Sequence, residues 1–142
     1  MTIANILAGR TGEVYQTSPE TTVQDAITML AQCRIGCLPV VEDGRVVGMF
    51  SERDVVYRVG TDGASVLDAS VGSVMTSPPV TVEAAMPVIH ALSLMTKRRI
   101  RHLPVVQGDR MVGFISIGDL VKYRIDRIES EAASLRDYIQ TA

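Results

Sequence analysis

Residues 34–54 read RIGCLPVVEDGRVVGMFSERD, and residues 99–119 read RIRHLPVVQGDRMVGFISIGD. A shift of 65 residues aligns these two stretches without a gap. The alignment extends backwards, where one set of apolar residues falls on a second set: Val23, Ala26, Ile27 and Leu30 on Val88, Ala91, Leu92 and Met95. Self-similarity at a constant offset is typical of a duplicated supersecondary unit. The sequence therefore predicts two copies of one fold element.

Both copies contain the same order of predicted elements. The apolar set has the spacing of an amphipathic helix, and the runs LPVV and RVVGMFS, or RMVGFIS in copy two, are typical of buried strands. The segments EDG at 42–44 and QGD at 107–109 predict tight hairpin turns. With short leading strands expected at 13–17 and 79–82, each copy becomes a β-α-β-β-α unit of the α/β (α+β) class.

The two copies are predicted to end differently. Residues 60–63, GTDG, indicate a loop that closes copy one, so we place repeat 1 at 1–65 and repeat 2 at 66–125. A helix is expected over 117–140, with apolar residues spaced 4, 3, 4, 3 and 4 apart: Val121, Ile125, Ile128, Ala132, Leu135 and Ile139. This spacing is that of a helix that packs on another helix. Both a second copy of the chain, giving a homodimer, and the chain's own body are possible partners.

Composition narrows the class of protein. The chain has 142 residues, 46% apolar and 21% charged, which is typical of a folded globular protein. Its net charge of −2 gives no reason to expect nucleic acid or an anionic membrane as a partner. The sequence shows neither a signal peptide nor a membrane span, so a cytoplasmic location is expected. Cys33 and Cys37 have no second pair to complete a zinc site and are expected to be reduced, mostly buried thiols.

A Ser-x-x-Asp pattern follows the second strand of each copy, at Ser51 and Asp54 and at Ser116 and Asp119. One interpretation is structural, because serine is a preferred helix N-cap and an acid in the first turn stabilises the helix dipole. The other is a binding site. A helix N-terminus attracts phosphate, and a carboxylate accepts hydrogen bonds from the paired hydroxyls of a ribose.

Further residues favour the binding interpretation. Gly48 and Gly113, each three positions before the serine, are expected to let a ligand approach the strand end. Apolar walls for a flat base are expected from a proline and an isoleucine in each copy: Ile35, Pro39, Ile100 and Pro104. Together these features describe a nucleotide site.

The doubled pattern I-x-x-L-P-V-V, turn, G-x-x-S-x-x-D resembles a tandem cystathionine-β-synthase (CBS) domain pair, or Bateman module, over residues 1–125. The long final helix resembles that of small stand-alone bacterial members of the family. The resemblance implies a disc of two repeats related by a pseudo-twofold axis. It also implies two clefts between the repeats, which AMP, ADP, ATP or NAD commonly occupies.

The resemblance further implies which residues share a cleft. Cleft one would combine Ser51 and Asp54 with the matching segment of copy two, Ile100, Arg101 and His102. Cleft two would combine Ser116 and Asp119 with the matching segment of copy one, Ile35, Gly36 and Cys37, and Arg53 would reach its phosphates. Arg101 and His102 would bring positive charge to cleft one alone, so unequal occupancy of the clefts is expected.

No catalytic set is recognisable, because His102 has no nucleophile or carboxylate within a few residues. We therefore expect no enzyme, no metal and no catalytic cofactor, but a regulatory, energy-sensing module that binds an adenine nucleotide and acts on a separate protein. The alternative is a structural dimerisation module without a physiological ligand.

Overall fold

The computed structural model describes residues 1–10 and 14–141 of the chain. Its helices are α1 (Ile3–Ala8), α2 (Val23–Cys33), α3 (Glu52–Asp62), α4 (Val71–Val74), α5 (Val88–Arg98) and α6 (Ile117–Thr141), with a short 3-10 helix at Ala64–Asp68. Its strands are β1 (Cys37–Glu42), β2 (Arg45–Ser51), β3 (Val82–Glu83), β4 (His102–Gln107) and β5 (Arg110–Ser116). The α/β class and the helix-strand-strand-helix order of both copies are confirmed.

The two predicted hairpins form the centre of the molecule. β1 pairs antiparallel with β2, and β4 pairs antiparallel with β5. The hairpins meet at Arg45 and Arg110, which gives one sheet in the order β1-β2-β5-β4-β3. In the first turn Asp43 and Gly44 both have positive φ, as a two-residue hairpin turn of this hand requires. The order places equivalent strands symmetrically about the middle, in agreement with a pseudo-twofold relation.

The leading strands are shorter than expected. In copy two only Val82 and Glu83 pair, parallel to β4. In copy one Thr17 forms an isolated parallel bridge with Val40, the counterpart of the pairing of Val82 with Val105. The predicted start of this strand, at residue 13, lies outside the described residues. Thr17 is buried, and its hydroxyl forms no hydrogen bond within the described part of the chain.

Each repeat has its own core, but the segment that precedes a repeat packs on the other one. Ile3 of α1 belongs to the core of copy two, together with Val88 of α5 and Leu103 of β4. Val66 and Val71, which lie before β3 at the start of the range assigned to repeat 2, belong to the core of copy one. The boundary between repeats at residues 65 and 66 remains an expectation from the sequence. Residues on either side of it pack in the same core.

The expected loop at residues 60–63 is wrong. α3 continues through Gly60 to Asp62 and ends at Gly63, whose φ is +79°. The Gly63 backbone N–H donates to the Val59 carbonyl oxygen, which satisfies one of the last carbonyl groups of the helix. Gly60 therefore sits in an exposed helical turn, where glycine is unfavourable but tolerated.

α6 begins in the body and leaves it. Leu120 is fully buried in the core of copy two, but every described residue from Arg124 onward is exposed. The predicted tail helix is confirmed over its full length, and its apolar spacing does not pack against the body of its own chain. No helix in residues 1–10 and 14–141 is long and apolar enough to cross a membrane.

Candidate functional site: two clefts between the repeats

Both Ser-x-x-Asp patterns start a helix and form the expected reciprocal contacts. The Ser51 hydroxyl accepts from the Asp54 backbone N–H at 3.3 Å, and Asp54 Oδ2 accepts from the Ser51 backbone N–H at 2.9 Å. The same pair of bonds joins Ser116 and Asp119, at 3.2 and 2.7 Å. The capping interpretation is therefore correct for both sites. Capping leaves lone pairs on each carboxylate, so it does not exclude a ligand.

In each repeat, a residue with a left-handed backbone conformation ends the first helix and leads into the short segment before the first hairpin strand. Arg34 ends α2 and Arg99 ends α5, each with a φ of 54°. The Glu52 backbone N–H then donates to the Gly36 carbonyl oxygen at 3.0 Å, and the Ile117 N–H donates to the Arg101 carbonyl oxygen at 2.8 Å. Each helix start is thereby tied to the segment that follows the helix of its own copy.

Cleft one is a cavity of about 210 Å³ between the two copies. The structure brings Ser51 and Asp54 of copy one to the same cavity as Ile100, Arg101 and His102 of copy two. Other side chains also line it, and they come from the start of α3, strands β1 and β2, the end of α5 and the linker before β3: Glu52, Arg53, Cys37, Met49, Arg99, Thr76, Pro78, Pro79 and Val80. Three arginines, Arg53, Arg99 and Arg101, thus line the same cavity as a carboxylate that has hydroxyl donors.

Thr76 was missed by the sequence reasoning. Its hydroxyl donates to Asp54 Oδ1 at 2.9 Å, so both oxygens of that carboxylate are oriented by the protein. Thr76 is held in place by a bridge to Met49 of β2, with backbone bonds of 2.9 and 2.8 Å. The 65-residue shift pairs Thr76 with Thr11, and this recurrence was the available signal. Thr11 itself lies outside the described residues.

Cleft two is a cavity of about 490 Å³. It brings together Ser116 and Asp119 of copy two with Ile35, Gly36 and Cys37 of copy one. Gly36, Cys37 and His102 line both cavities, so the two clefts meet at these residues. Arg34 lines cleft two as its counterpart Arg99 lines cleft one. The pairing of segments across the repeats therefore follows the pseudo-symmetry.

Arg10 distinguishes cleft two from cleft one. Its guanidinium forms an ion pair with the Asp119 carboxylate and donates to the Phe114 carbonyl oxygen at 2.6 Å. Partial burial raises the pKa of Asp119, but the Ser116 backbone N–H and the Arg10 guanidinium outweigh it, and the pKa lies below the ordinary value. The sequence carried no signal for Arg10, because its counterpart in copy two is Met75.

The structure differs from two expectations about the charges of the clefts. Burial, followed by the charge of Arg101, lowers the pKa of His102, which disfavours the positive charge expected of this imidazole in cleft one. Arg53, expected at cleft two, lines cleft one and is absent from the described lining of cleft two. Cleft two obtains its positive charge from Arg10 and Arg34 instead.

The expected apolar walls and the glycines need a second correction. Ile35 and Ile100 line cleft two and cleft one respectively, but Pro39 and Pro104 are buried within β1 and β4 and line neither. A Cβ on Gly48 would lie 2.5 Å from Met75 Sδ, and a Cβ on Gly113 would lie 2.8 Å from Leu7 Cδ2. These glycines make room for the segment that precedes each repeat rather than for a ligand.

Cys37 and the neighbouring acids form no reactive or metal-binding group. Burial, together with the charge of Asp54, raises the pKa of the Cys37 thiol to about 12, so it is protonated at neutral pH. Cys33 is half-buried, and both cysteines are free. Within the described ranges, no three or more His, Cys, Asp and Glu side chains are grouped in a way that could hold a metal ion.

Comparison with known proteins defines the class. The CBS domain model matches residues 11–60 and 71–126, one match for each copy and most of the chain. The chain therefore belongs to the CBS-domain family, as a tandem pair.

Two relatives show how far the likeness extends. CBSX3, a mitochondrial CBS domain-containing protein of Arabidopsis thaliana, is 36% identical over 124 residues, which are 84% of this chain and 60% of that protein. The CBS domain-containing protein YhcV of Bacillus subtilis is 33% identical over 126 residues, 87% of this chain and 85% of that protein.

Solved structures confirm the architecture. The CBS-domain containing protein ATU1752 from Agrobacterium tumefaciens superimposes with a TM-score of 0.82 at 34% identity, covering 87% of this chain and 99% of that one. CBSX2, solved in complex with AMP, superimposes with a TM-score of 0.75 at 24% identity, covering 88% of this chain and 96% of that one. The second likeness concerns the fold alone.

Proposed function

We propose that this protein is a cytoplasmic, non-catalytic regulatory module that binds an adenosine-containing ligand, AMP, ADP, ATP or NAD, and signals its presence to a separate protein. The observation that carries the proposal is the oriented carboxylate of Asp54 in cleft one. It receives hydrogen bonds on both oxygens and shares its cavity between the repeats with Arg53 of its own helix and with Arg99 and Arg101 of copy two. A ribose fits the carboxylate, and phosphates fit the arginines.

The dimensions of cleft one support a particular pose. Its 210 Å³ is below the roughly 300 Å³ of a typical ligand pocket. A base and ribose would therefore fill the enclosed part, and the phosphates would extend towards Arg53, Arg99 and Arg101. The apolar contacts for the base come from Ile100 and the linker residues Pro79 and Val80.

The two clefts are proposed to bind unequally. In cleft one the donors to Asp54 within the described residues are hydroxyl and backbone groups alone, so a ribose can add to its contacts. In cleft two the Arg10 guanidinium already covers Asp119, and a ribose has to displace it or share the carboxylate. We therefore assign the tighter site to cleft one, and a second, weaker site to cleft two.

The regulatory role follows from the position of the clefts. Both lie between the repeats, so a ligand that prefers one relative arrangement of the repeats shifts the protein towards it. α6 starts at Ser116 and Asp119 of cleft two, and it is the element that carries such a shift to the outside.

Isothermal titration of the purified protein with AMP, ADP, ATP and NAD tests the proposal. We expect saturable binding of at least one of them, with unequal affinities if two sites fill. The Asp54→Asn, Asp119→Asn double variant is the control and should bind all of them much more weakly. If the parent protein shows no heat of binding with any of the four compounds, the proposal is contradicted. Turnover of ATP in the presence of magnesium contradicts the non-catalytic part.

The exposed apolar face of α6 favours a second candidate, a module that serves only to join two copies of the chain. The same titration separates the two functions. A protein that dimerises but gives no heat with any of the four compounds fits this second candidate alone.

A further inference from the structure

α6 carries an apolar face that its own chain leaves uncovered. The stripe runs along one side of the helix, and its large residues are 42–65% exposed: Val121, Ile125, Ile128, Leu135 and Ile139, with the smaller Ala132 between them. Their spacing alternates between four and three residues, which assigns Ile125, Ala132 and Ile139 to the a positions of a heptad. Val121, Ile128 and Leu135 are then the d positions.

Charged side chains flank this stripe in a definite order. At the e positions stand Lys122, Glu129 and Arg136, and at the g positions Arg124 and Glu131, all exposed. In a parallel pair of helices, a g residue faces the e residue five positions later in the partner helix. Arg124 then faces Glu129, and Glu131 faces Arg136. Each contact occurs twice by symmetry, and all four join opposite charges.

An antiparallel pair of helices that buries all six stripe residues would instead place like charges next to each other. There, g positions face g positions and e positions face e positions, so that Glu131 meets Glu131 and Glu129 meets Glu129. Lys122 meets Arg136. Every charged contact is between like charges, which disfavours that orientation.

We propose that the exposed face of α6 pairs with the same face of a second copy of this chain, as a parallel, in-register two-stranded coiled coil. This arrangement buries the whole stripe and satisfies the flanking charges together. It also brings the starts of both α6 helices, and with them cleft two of each copy, to the same end of the coiled coil. A ligand in cleft two then binds next to the N-terminal end of the coiled-coil interface.

Cysteine cross-linking reads the orientation directly. Val121→Cys and Ile139→Cys are made separately in a Cys33→Ser background, since Cys33 is half-buried and Cys37 is buried. In the parallel arrangement each variant forms a disulfide-linked dimer with itself. In the antiparallel one, two copies of the same residue would be about 27 Å apart along the axis, and only a mixture of the two variants would cross-link.

Charge reversal tests the flanking contacts. Arg124 and Glu129 are suitable because neither has an ion pair within the described residues, whereas Glu131 pairs with Arg127 along the helix at 3.6 Å. Arg124→Glu and Glu129→Arg should each weaken the dimer about fivefold in sedimentation equilibrium, and the double variant should recover most of the loss.

The proposal is overturned if the single-cysteine variants do not cross-link with themselves, if only their mixture cross-links, or if the double charge variant is no better than the singles. These outcomes do not depend on nucleotide, so the dimer can fail while the ligand titration succeeds, or the reverse.

Discussion

The Arg10 guanidinium contacts both the Asp119 carboxylate and the Phe114 carbonyl oxygen. A residue that follows α1 therefore binds the start of α6 in the second repeat. The two residues are 109 positions apart in the chain. The contact exists because α1 packs on the core of copy two through Ile3. Together with Arg53 and Arg101, which line cleft one, it makes the two clefts electrostatically different.

Separate substitution of the two aspartates should separate the two clefts. Asp54→Asn should weaken the tighter site by about 2 kcal/mol, or roughly thirtyfold in Kd, because a charged hydrogen-bond acceptor for the ribose is lost. Asp119→Asn should affect only the weaker site. Titration calorimetry with the nucleotide that binds the parent protein measures both effects, and circular dichroism controls for folding. If either single variant abolished both sites, independent clefts would be ruled out.

Asp119 should also give the stability of the protein a pH dependence. A carboxylate whose pKa is lower in the folded than in the unfolded chain stabilises the fold above its unfolded-state pKa, and this contribution is lost as the pH falls through the folded-state pKa. The pKa of Asp119 is lowered in this way from its ordinary value of 3.8. Asp119→Asn should therefore lower the free energy of unfolding at pH 7 by about 1 kcal/mol, and the difference should vanish in acid.

Urea denaturation at a series of pH values between about 3 and 7 measures the difference. Asp126→Asn, at an exposed position of α6, is the matched control. An equal pH dependence in the two variants would argue against the contacts of Arg10 and Ser116 as its origin.

Two glycine substitutions should change stability in opposite directions. Gly48→Ala should destabilise the protein by about 2 kcal/mol, because its Cβ would lie 2.5 Å from Met75 Sδ and 3.0 Å from the Thr76 carbonyl oxygen. Gly60→Ala should stabilise it by about 0.5–1 kcal/mol, because Gly60 lies inside α3 and nothing stands within 4 Å of the added Cβ. Thermal and urea denaturation measure both changes. A loss of stability in Gly60→Ala would contradict the extension of α3 to Asp62.

Thr17→Val should stabilise the protein by about 1 kcal/mol. The buried Thr17 hydroxyl forms no hydrogen bond within the described part of the chain, and valine stands at the equivalent bridge in copy two. The reverse change, Val82→Thr, is the matched partner and should destabilise the protein by burying a hydroxyl in an apolar core. If Thr17→Val were the less stable protein, an unseen partner of the hydroxyl would have to exist.

Much of the fold was predictable because its signals are local. The hairpin of Cys37–Glu42 with Arg45–Ser51 follows from two short apolar runs around a Gly/Asp turn. The helix starts at Ser51 and Ser116 follow from capping preferences. The length of α3 was misjudged because Gly60 suggested a loop. In the structure Gly60 continues the helix that the preceding turns have formed.

The lining of the clefts was predictable only in part. The repeat relates Ser51 to Ser116 and Ile35 to Ile100, so the resemblance brought the right segments together in each cavity. It did not find Thr76 or Arg10, and it placed Arg53 at cleft two, whereas the side chain lines cleft one. The contacts of Thr76 and Arg10 depend on how the segments before each repeat pack on the other repeat, and the recurrence of Thr76 with Thr11 does not by itself reveal its contact with Asp54.

The sequence by itself determined the duplication, the order of helices and strands, the caps and the apolar stripe of α6, because periodicity, turn residues and capping residues act over a few positions. Only the tertiary structure decided that each leading segment packs on the other repeat, that Thr76 orients Asp54, and that Arg10 covers Asp119. The physical reason is that these contacts join residues far apart in the chain, and their partners are chosen by packing and charge once the two repeats have come together.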